Sequence, residues 1–412
     1  MTMSEVERWG VFEVSVDGGP TAVEFRPADG VPAYAESFTG DDGRQTVRFM
    51  PDAEGEWSYE LAGRTGRFLC TPATDRNRGP VRRAGEDLRW ADGSAYHPLT
   101  TTWFEQPGKP DRWVEARRAI AASPFDRVRL RARRDGQTRL DALVRELLAI
   151  GTGAEIVIPA VEADEGFLRD LVNRLAAYRN VTWCIDGEGD RRDWRSEAEL
   201  VAEQDSGRHP IAVHAAPGAV DPGPPWFTHL SVPLENLRGV SALRRDYRKP
   251  VHVDAAGYEG NGSSPDTSLT GPELLTRIWE GTVRGAHVAH GEWYADAEGG
   301  PWSGGGARPM GAVAQRLRLL RHVLDELPAE VEPIDDYRDA PTLAVPGSYY
   351  LQYLGEHRFP ERTFSLPAGT YQVEVLDVWN QTVRRYHETV TETLTVQLPG
   401  TQYQAVQLRR GD

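Results

Sequence analysis

A chain of 412 residues is too long for one small core and calls for two or three domains. Its net charge of -15 excludes the basic face that nucleic acid or an anionic membrane surface would need. With Cys70 and Cys184 as the only cysteines there is no disulfide framework or Cys-rich zinc site, and with Lys109 and Lys249 as the only lysines Schiff-base chemistry has few candidates.

The chain opens MTMSEVERWG, without the apolar core of a signal peptide. No later stretch is long and apolar enough to span a bilayer, so the expected location is cytoplasmic. Residues 1–82 read as a β-sandwich. Short alternating runs at 9–16, 22–26, 46–50, 56–61 and 67–70 are punctuated by Gly, Pro and Asp. Across 83–338 strand-like runs alternate with helical stretches. The strands are expected at 96–102, 127–131, 155–159, 182–186, 210–214, 228–232, 251–254 and 286–290. Helices are expected at 112–122, 140–150, 166–178, 271–282 and 311–327. This size and alternation match an α/β fold of the (β/α)8 TIM-barrel type. An open doubly wound sheet is the alternative, and no Gly-rich fingerprint after an early strand supports it. From 339 to 412 the pattern returns to β, with runs at 349–353, 363–366, 371–378, 390–396 and 405–408 that imply a C-terminal β-sandwich.

Several stretches together resemble an apiosidase-like family of bacterial proteins. They are EVERWGVFEV, VRFMPDAEGEWSYEL, RWADGSAYHPLTTT, SPFDRVR, RLAAYRNVTW, VHVDAAGYEGN, WEGTVRGAHVAHGE and LPAGTYQVEVLDVWNQT. The resemblance covers nearly the whole chain in order. It implies an N-terminal β-sandwich, a glycoside-hydrolase-type barrel and a C-terminal β-sandwich. In that family the fourth strand ends Ala-Asn-Glu-Tyr-Asp; here the stretch is Asp186, Gly187, Glu188, Gly189, Asp190. The resemblance implies Glu188 as the acid/base. The family's seventh strand ends Ile-Asp-Glu-Cys-Gly-Tyr, against Val253, Asp254, Ala255, Ala256, Gly257, Tyr258 here. The expected nucleophile therefore falls on Ala255. The loops at 133–138 and 161–165 are short for the family, which implies a shallower cleft.

Glycoside hydrolysis of the common type uses two carboxyls, and alanine can neither attack carbon nor stabilise an oxocarbenium ion. Asp186 is two residues from Glu188, so both would face the same side of a strand. Such a pair would push one carboxyl up and supply an acid and a base at neutral pH. The competing reading pairs Asp186 with an arginine of a neighbouring strand such as Arg129. Glu259, in the loop after strand seven, is a third catalytic candidate. His97, His214, His290 and Glu292 fall at or just beyond expected strand ends, where each could bind sugar hydroxyls. Trp103, Tyr258, Trp293, Tyr294 and Trp302 are candidate stacking platforms, with core packing as the competing reading. No HExxH-like spacing supports a metal on His214, His290 and Glu188, and no cofactor motif occurs, so neither metal nor cofactor is expected. The expected partner is a small-molecule or carbohydrate ligand. Three readings follow: a glycoside-hydrolase-like enzyme with an altered nucleophile position, an acid–base isomerase, lyase or cyclase on a sugar-bearing metabolite, and a carbohydrate-binding protein without catalysis.

Overall fold

The strand-like runs of the middle segment pair as parallel strands in a computed structural model of the chain, which describes residues 3–61, 63–106, 108, 111–159, 164–187, 194–296, 298, 300–334, 337 and 339–411. One eight-stranded sheet follows chain order: β1 (Thr100–Thr102), β2 (Arg127–Arg131), β3 (Gly153–Pro159), β4 (Val181–Asp186), β5 (Ile211–His214), β6 (Leu230–Pro233), β7 (Val251–Ala255) and β8 (Ala286–Val288). Beyond β8 the chain returns to β1 through a parallel bridge between His290 and Thr101. There the His290 N–H donates to the Thr100 carbonyl at 2.8 Å. The sheet closes, and the fold is a (β/α)8 barrel flanked by β-sandwiches. Parallel strands are covered on both faces, which is why β3 is buried at all of its positions and reads as a largely apolar run interrupted only by Glu155.

The helices are α1 (Trp113–Ala121), α2 (Gln137–Ala149), α3 (Glu165–Leu175), α4 (Trp194–Asp205), α5 (Gly239–Tyr247), α6 (Gly271–Val283) and α7 (Val313–Asp325). Two of them, α4 and α5, were not expected from the pattern. The first reads WRSEAELVAEQD, with few apolar positions; the second is short and ends where Arg248 turns left-handed at φ 51°. The chain folds into two compact units, Met1–Tyr96 with Asp126–Ser231, and His97–Phe125 with Val232–Asp412.

In the first unit the N-terminal layers enclose Phe12, Val23, Phe25, Val47, Phe49, Trp57 and Phe68. The Phe25 and Phe49 rings stack at 4.2 Å and those of Phe12 and Phe68 at 4.1 Å. Arg48, at the heart of this unit, is buried. Its guanidinium donates to Asp141 of α2 at 3.0 Å, to the Arg174 carbonyl of α3 at 2.8 Å and to Glu13 at 2.6 Å. The Tyr178 hydroxyl donates to the other Asp141 oxygen at 2.8 Å. A β-layer and two barrel helices are thus joined through one charge that is tolerable in the interior only while paired.

In the second unit the strands after α7 enclose Tyr350, Phe364, Tyr371, Val373, Val396, Val406 and Leu408. The expected run 390–396 is the end of one strand, Thr382–Val390, and the whole of the next, Thr393–Gln397. The Tyr353 ring lies 5.7 Å from that of Trp279 on α6, and its hydroxyl donates to Thr276 at 3.2 Å. On α7, the Arg316 guanidinium sits 3.9 Å from the Trp379 ring centre and donates to the Trp379 carbonyl at 2.8 Å.

Asp141→Ala takes one of two carboxylates from a buried guanidinium and the acceptor from the Tyr178 hydroxyl, and is expected to cost about 3 kcal/mol in chemical denaturation, whereas the exposed Val114→Ala should stay within about 0.5 kcal/mol of the parent.

Candidate active site

Chemistry on a barrel of this type is carried by side chains at the C-terminal strand ends. In the first unit those ends hold Asp186 on β4 and His214 on β5, which are register partners across the ladder. His214 is buried, and its Nδ1 lies 2.8 Å from the Ser231 hydroxyl of β6. The Asp186 carboxylate meets the Arg131 guanidinium of β2 at 3.4 Å. Among the described residues Asp186 thus forms an ion pair with Arg131, where Arg129 was the expected example. Arg129 instead joins Arg127 on Glu155, each contact 3.2 Å long and fully buried. Beyond Asp186 the Gly187 N–H donates to the His214 carbonyl at 2.9 Å. A Cβ at Gly187 would stand 2.8 Å from Val213, so glycine permits this close approach. Glu188, the expected acid/base, lies outside the described residues.

In the second unit β7 ends at Ala255, which is half-buried between the buried Asp254 and Ala256. The chain then turns at Gly257, whose φ of 96° favours glycine. Half-buried Tyr258 follows, its ring covering Gly291 so closely that a Cβ there would meet it at 2.4 Å. Glu259 comes next and pairs in register with Glu292 in a small parallel ladder, Glu259–Gly260 against Glu292–Trp293.

Both carboxylates are buried and face the start of α7. Glu292 accepts the N–H groups of Met310 at 2.5 Å and Gly311 at 2.9 Å. Glu259 accepts those of Ala312 at 2.8 Å and Val313 at 3.0 Å, and the Tyr294 hydroxyl at 3.4 Å. Four successive N–H groups leading into α7, the last two those of its N-cap Ala312 and first helical residue Val313, are thus taken by two side chains from elsewhere in the chain, with the helix dipole favouring their charge. Burial pushes the Glu292 carboxyl up to about 7; the two N–H bonds oppose this and the neighbouring Glu259 adds to it. Burial also pushes the Tyr294 hydroxyl up to about 12.

His290 is buried, and burial lowers it to about 3, so the ring is neutral. Its Nδ1 lies 3.0 Å from the Thr101 hydroxyl, which also accepts the Trp302 indole N–H at 2.8 Å. Trp302 and Trp103 are fully buried; Trp103 packs 5.1 Å from Trp113 and donates to the Gly306 carbonyl at 2.9 Å. Their rings fill core. Tyr258, Trp293 and Tyr294 keep partial exposure. His97 lies three residues before β1, at the end of that strand opposite to Thr102. The second unit thus gathers Glu259, His290, Glu292 and Tyr294, with Tyr258 beside them. Thr101, Arg131, Ser231 and Gly311 are the partners that sequence reasoning missed. The repeated Thr run TTT at 100–102 and the unusual GA before α7 were the only traces of them.

Solved structures similar to this chain include proteins described as glycoside hydrolases. A candidate glycoside hydrolase from Bacteroides vulgatus is similar over 99% of this chain and 100% of its own, with a TM-score of 0.89 and 24% identity. A glycoside hydrolase family 5 protein from Bacteroides vulgatus gives a TM-score of 0.68 at 14% identity over 82% of this chain and 95% of its own. Another structure described as a glycoside hydrolase gives 0.67 at 12% identity, over 82% of this chain and 98% of its own. A domain of unknown function, DUF5605, matches residues 338–409. No curated protein matches the chain. The fold is of the glycoside-hydrolase type. Among the described residues, no helix is long and apolar enough to cross a membrane.

A methyl group at position 311 would stand 2.2 Å from Glu259 and 2.9 Å from Glu292. Gly311→Ala should therefore loosen the four-bond cap and cost about 2–4 kcal/mol, read as a lower midpoint in urea unfolding.

Proposed function

We propose that this protein is a glycoside-hydrolase-like enzyme of apiosidase-like type, acting on a sugar-containing substrate without the usual strand-seven nucleophile. Ala255 carries this reading: it ends β7, the strand end at which such barrels place a carboxyl, and it is half-buried with only a methyl to offer. Glu188 is assigned as the general acid through the resemblance at strand four. The fold likeness to glycoside hydrolases supports a sugar as ligand, and the partly exposed Tyr258 and Tyr294 are suited to stack on its ring.

A second reading, a non-hydrolytic acid–base enzyme on a sugar-bearing metabolite, is favoured by the Asp186–Arg131 pair. A carboxylate engaged by a guanidinium is less free to attack a sugar carbon, which leaves it poorly placed to stand in for the missing nucleophile. Glu259, held by two N–H groups and a tyrosine, has no freedom to take the place of the lost carboxyl.

The test restores the carboxyl. Ala255→Glu should acquire cleavage of aryl glycosides that the parent lacks. Equal cleavage by parent and variant would refute the proposal. For the natural ligand, once a panel of sugars and sugar-bearing metabolites has supplied one, Glu188→Gln should lower turnover about 10²–10⁴-fold with calorimetric affinity little changed. Unchanged turnover would remove Glu188 from the mechanism.

A further inference from the structure

We propose that Glu259, Glu292 and His290 hold a divalent transition-metal ion, with Zn²⁺ the first candidate. One ligating atom from each of the three lies within 4.8 Å of the others, and all three side chains are buried. Two metal–ligand bonds of about 2.1 Å in line span roughly 4.2 Å, so small side-chain rotations close the set on one ion.

The imidazole points to a ligand independently of the acids. His290 is 1% exposed, and among the described residues its Nε2 has no hydrogen-bond partner. A buried ring nitrogen left so is costly unless something binds it. The other nitrogen is already engaged. The Thr101 hydroxyl oxygen has two lone pairs; one receives the Trp302 N–H and the second can receive Nδ1–H of His290. That tautomer leaves the Nε2 lone pair free to ligate, with Thr101 orienting the ring as outer-shell partners of metal-bound histidines do.

The carboxylates fit the same account. Two anions buried side by side repel unless a cation or proton lies between them. Both oxygens of Glu292 and Oε2 of Glu259 each receive one N–H from the segment entering α7 and keep a further lone pair, whereas Oε1 of Glu259 takes the Ala312 N–H and the Tyr294 hydroxyl. Two hard oxygens and one imidazole suit Zn²⁺ or Mn²⁺ better than Ca²⁺. The ion would tie the segments beyond β7 and β8 to the first turn of α7. It is a structural site, independent of the strand-seven chemistry proposed above.

The test begins with the whole chain freed of metal by a chelator. Calorimetric titration with Zn²⁺, and separately with Mn²⁺, should show one ion bound per chain, with Kd on the order of 1 μM or tighter and a raised Tm. His290→Ala should weaken binding more than tenfold, and Thr101→Val, which loosens only the ring's orientation, about tenfold. No binding by the parent to either ion overturns the proposal, leaving a shared proton between the acids. Undiminished binding in a folded His290→Ala overturns it as well. Should that variant not fold, Co²⁺-loaded parent protein decides the matter. Its X-ray absorption should show oxygen ligands and a single imidazole; a sulfur ligand or an absent imidazole refutes the assignment.

Discussion

Two buried glutamates share the start of one helix, and the second unit is organised around that arrangement. Glu259 follows β7 and Glu292 follows β8, so each carries the direction of a barrel strand outward. Together they take the N–H groups of residues 310–313, which no side chain of α7 itself caps. The fit is close enough that position 311 admits only glycine, and position 291 is closed in the same way by Tyr258. One turn further on, α7 carries Arg316 to Trp379, so the C-terminal layers are attached to the same helix. The start of α7 therefore transmits strand-end geometry to the sheet behind it.

This arrangement also divides the carboxylates by role. An acid that accepts two backbone N–H groups in the interior is fixed in place and shielded from substrate. Glu259 and Glu292 are of that kind. Asp186, with an exposed edge and one arginine, is intermediate. In the proposed reading the chain is marked chemically by Ala255, where the end of β7 offers a methyl group. Hydrolysis through a glycosyl-enzyme intermediate needs a nucleophile there or a substitute, and Glu259, four residues on, is held by the N–H groups of Ala312 and Val313.

The barrel strands were legible because parallel strands, covered on both faces, read as short largely apolar runs such as the IVIP that ends β3. The edge strand Thr382–Val390 was not, since its exposed VRRYHET carries no alternation. Helix α4 escaped for the same reason. At the candidate site the pattern located Asp186, His214, Glu259, His290 and Glu292 near strand ends, because position along a strand is a local property. It did not reveal their partners. Whether Asp186 meets Arg129 or Arg131 depends on register across two neighbouring strands, and Glu155 captures Arg129. The role of Glu259 depends on residues some fifty positions later in the chain. Burial of Trp103 and Trp302, which makes them core, likewise depends on segments that sequence spacing does not connect.

The central claim is that no carboxylate of this protein serves as the nucleophile of a retaining glycosidase. Activated 2-fluoro glycosides trap such a nucleophile covalently, and intact-mass spectrometry reads the result directly. The account expects no adduct on the natural chain and a single glycosyl adduct on Ala255→Glu, mapped to residue 255. A stoichiometric adduct on the natural chain, at Glu259, Asp186 or any other carboxylate, would contradict it.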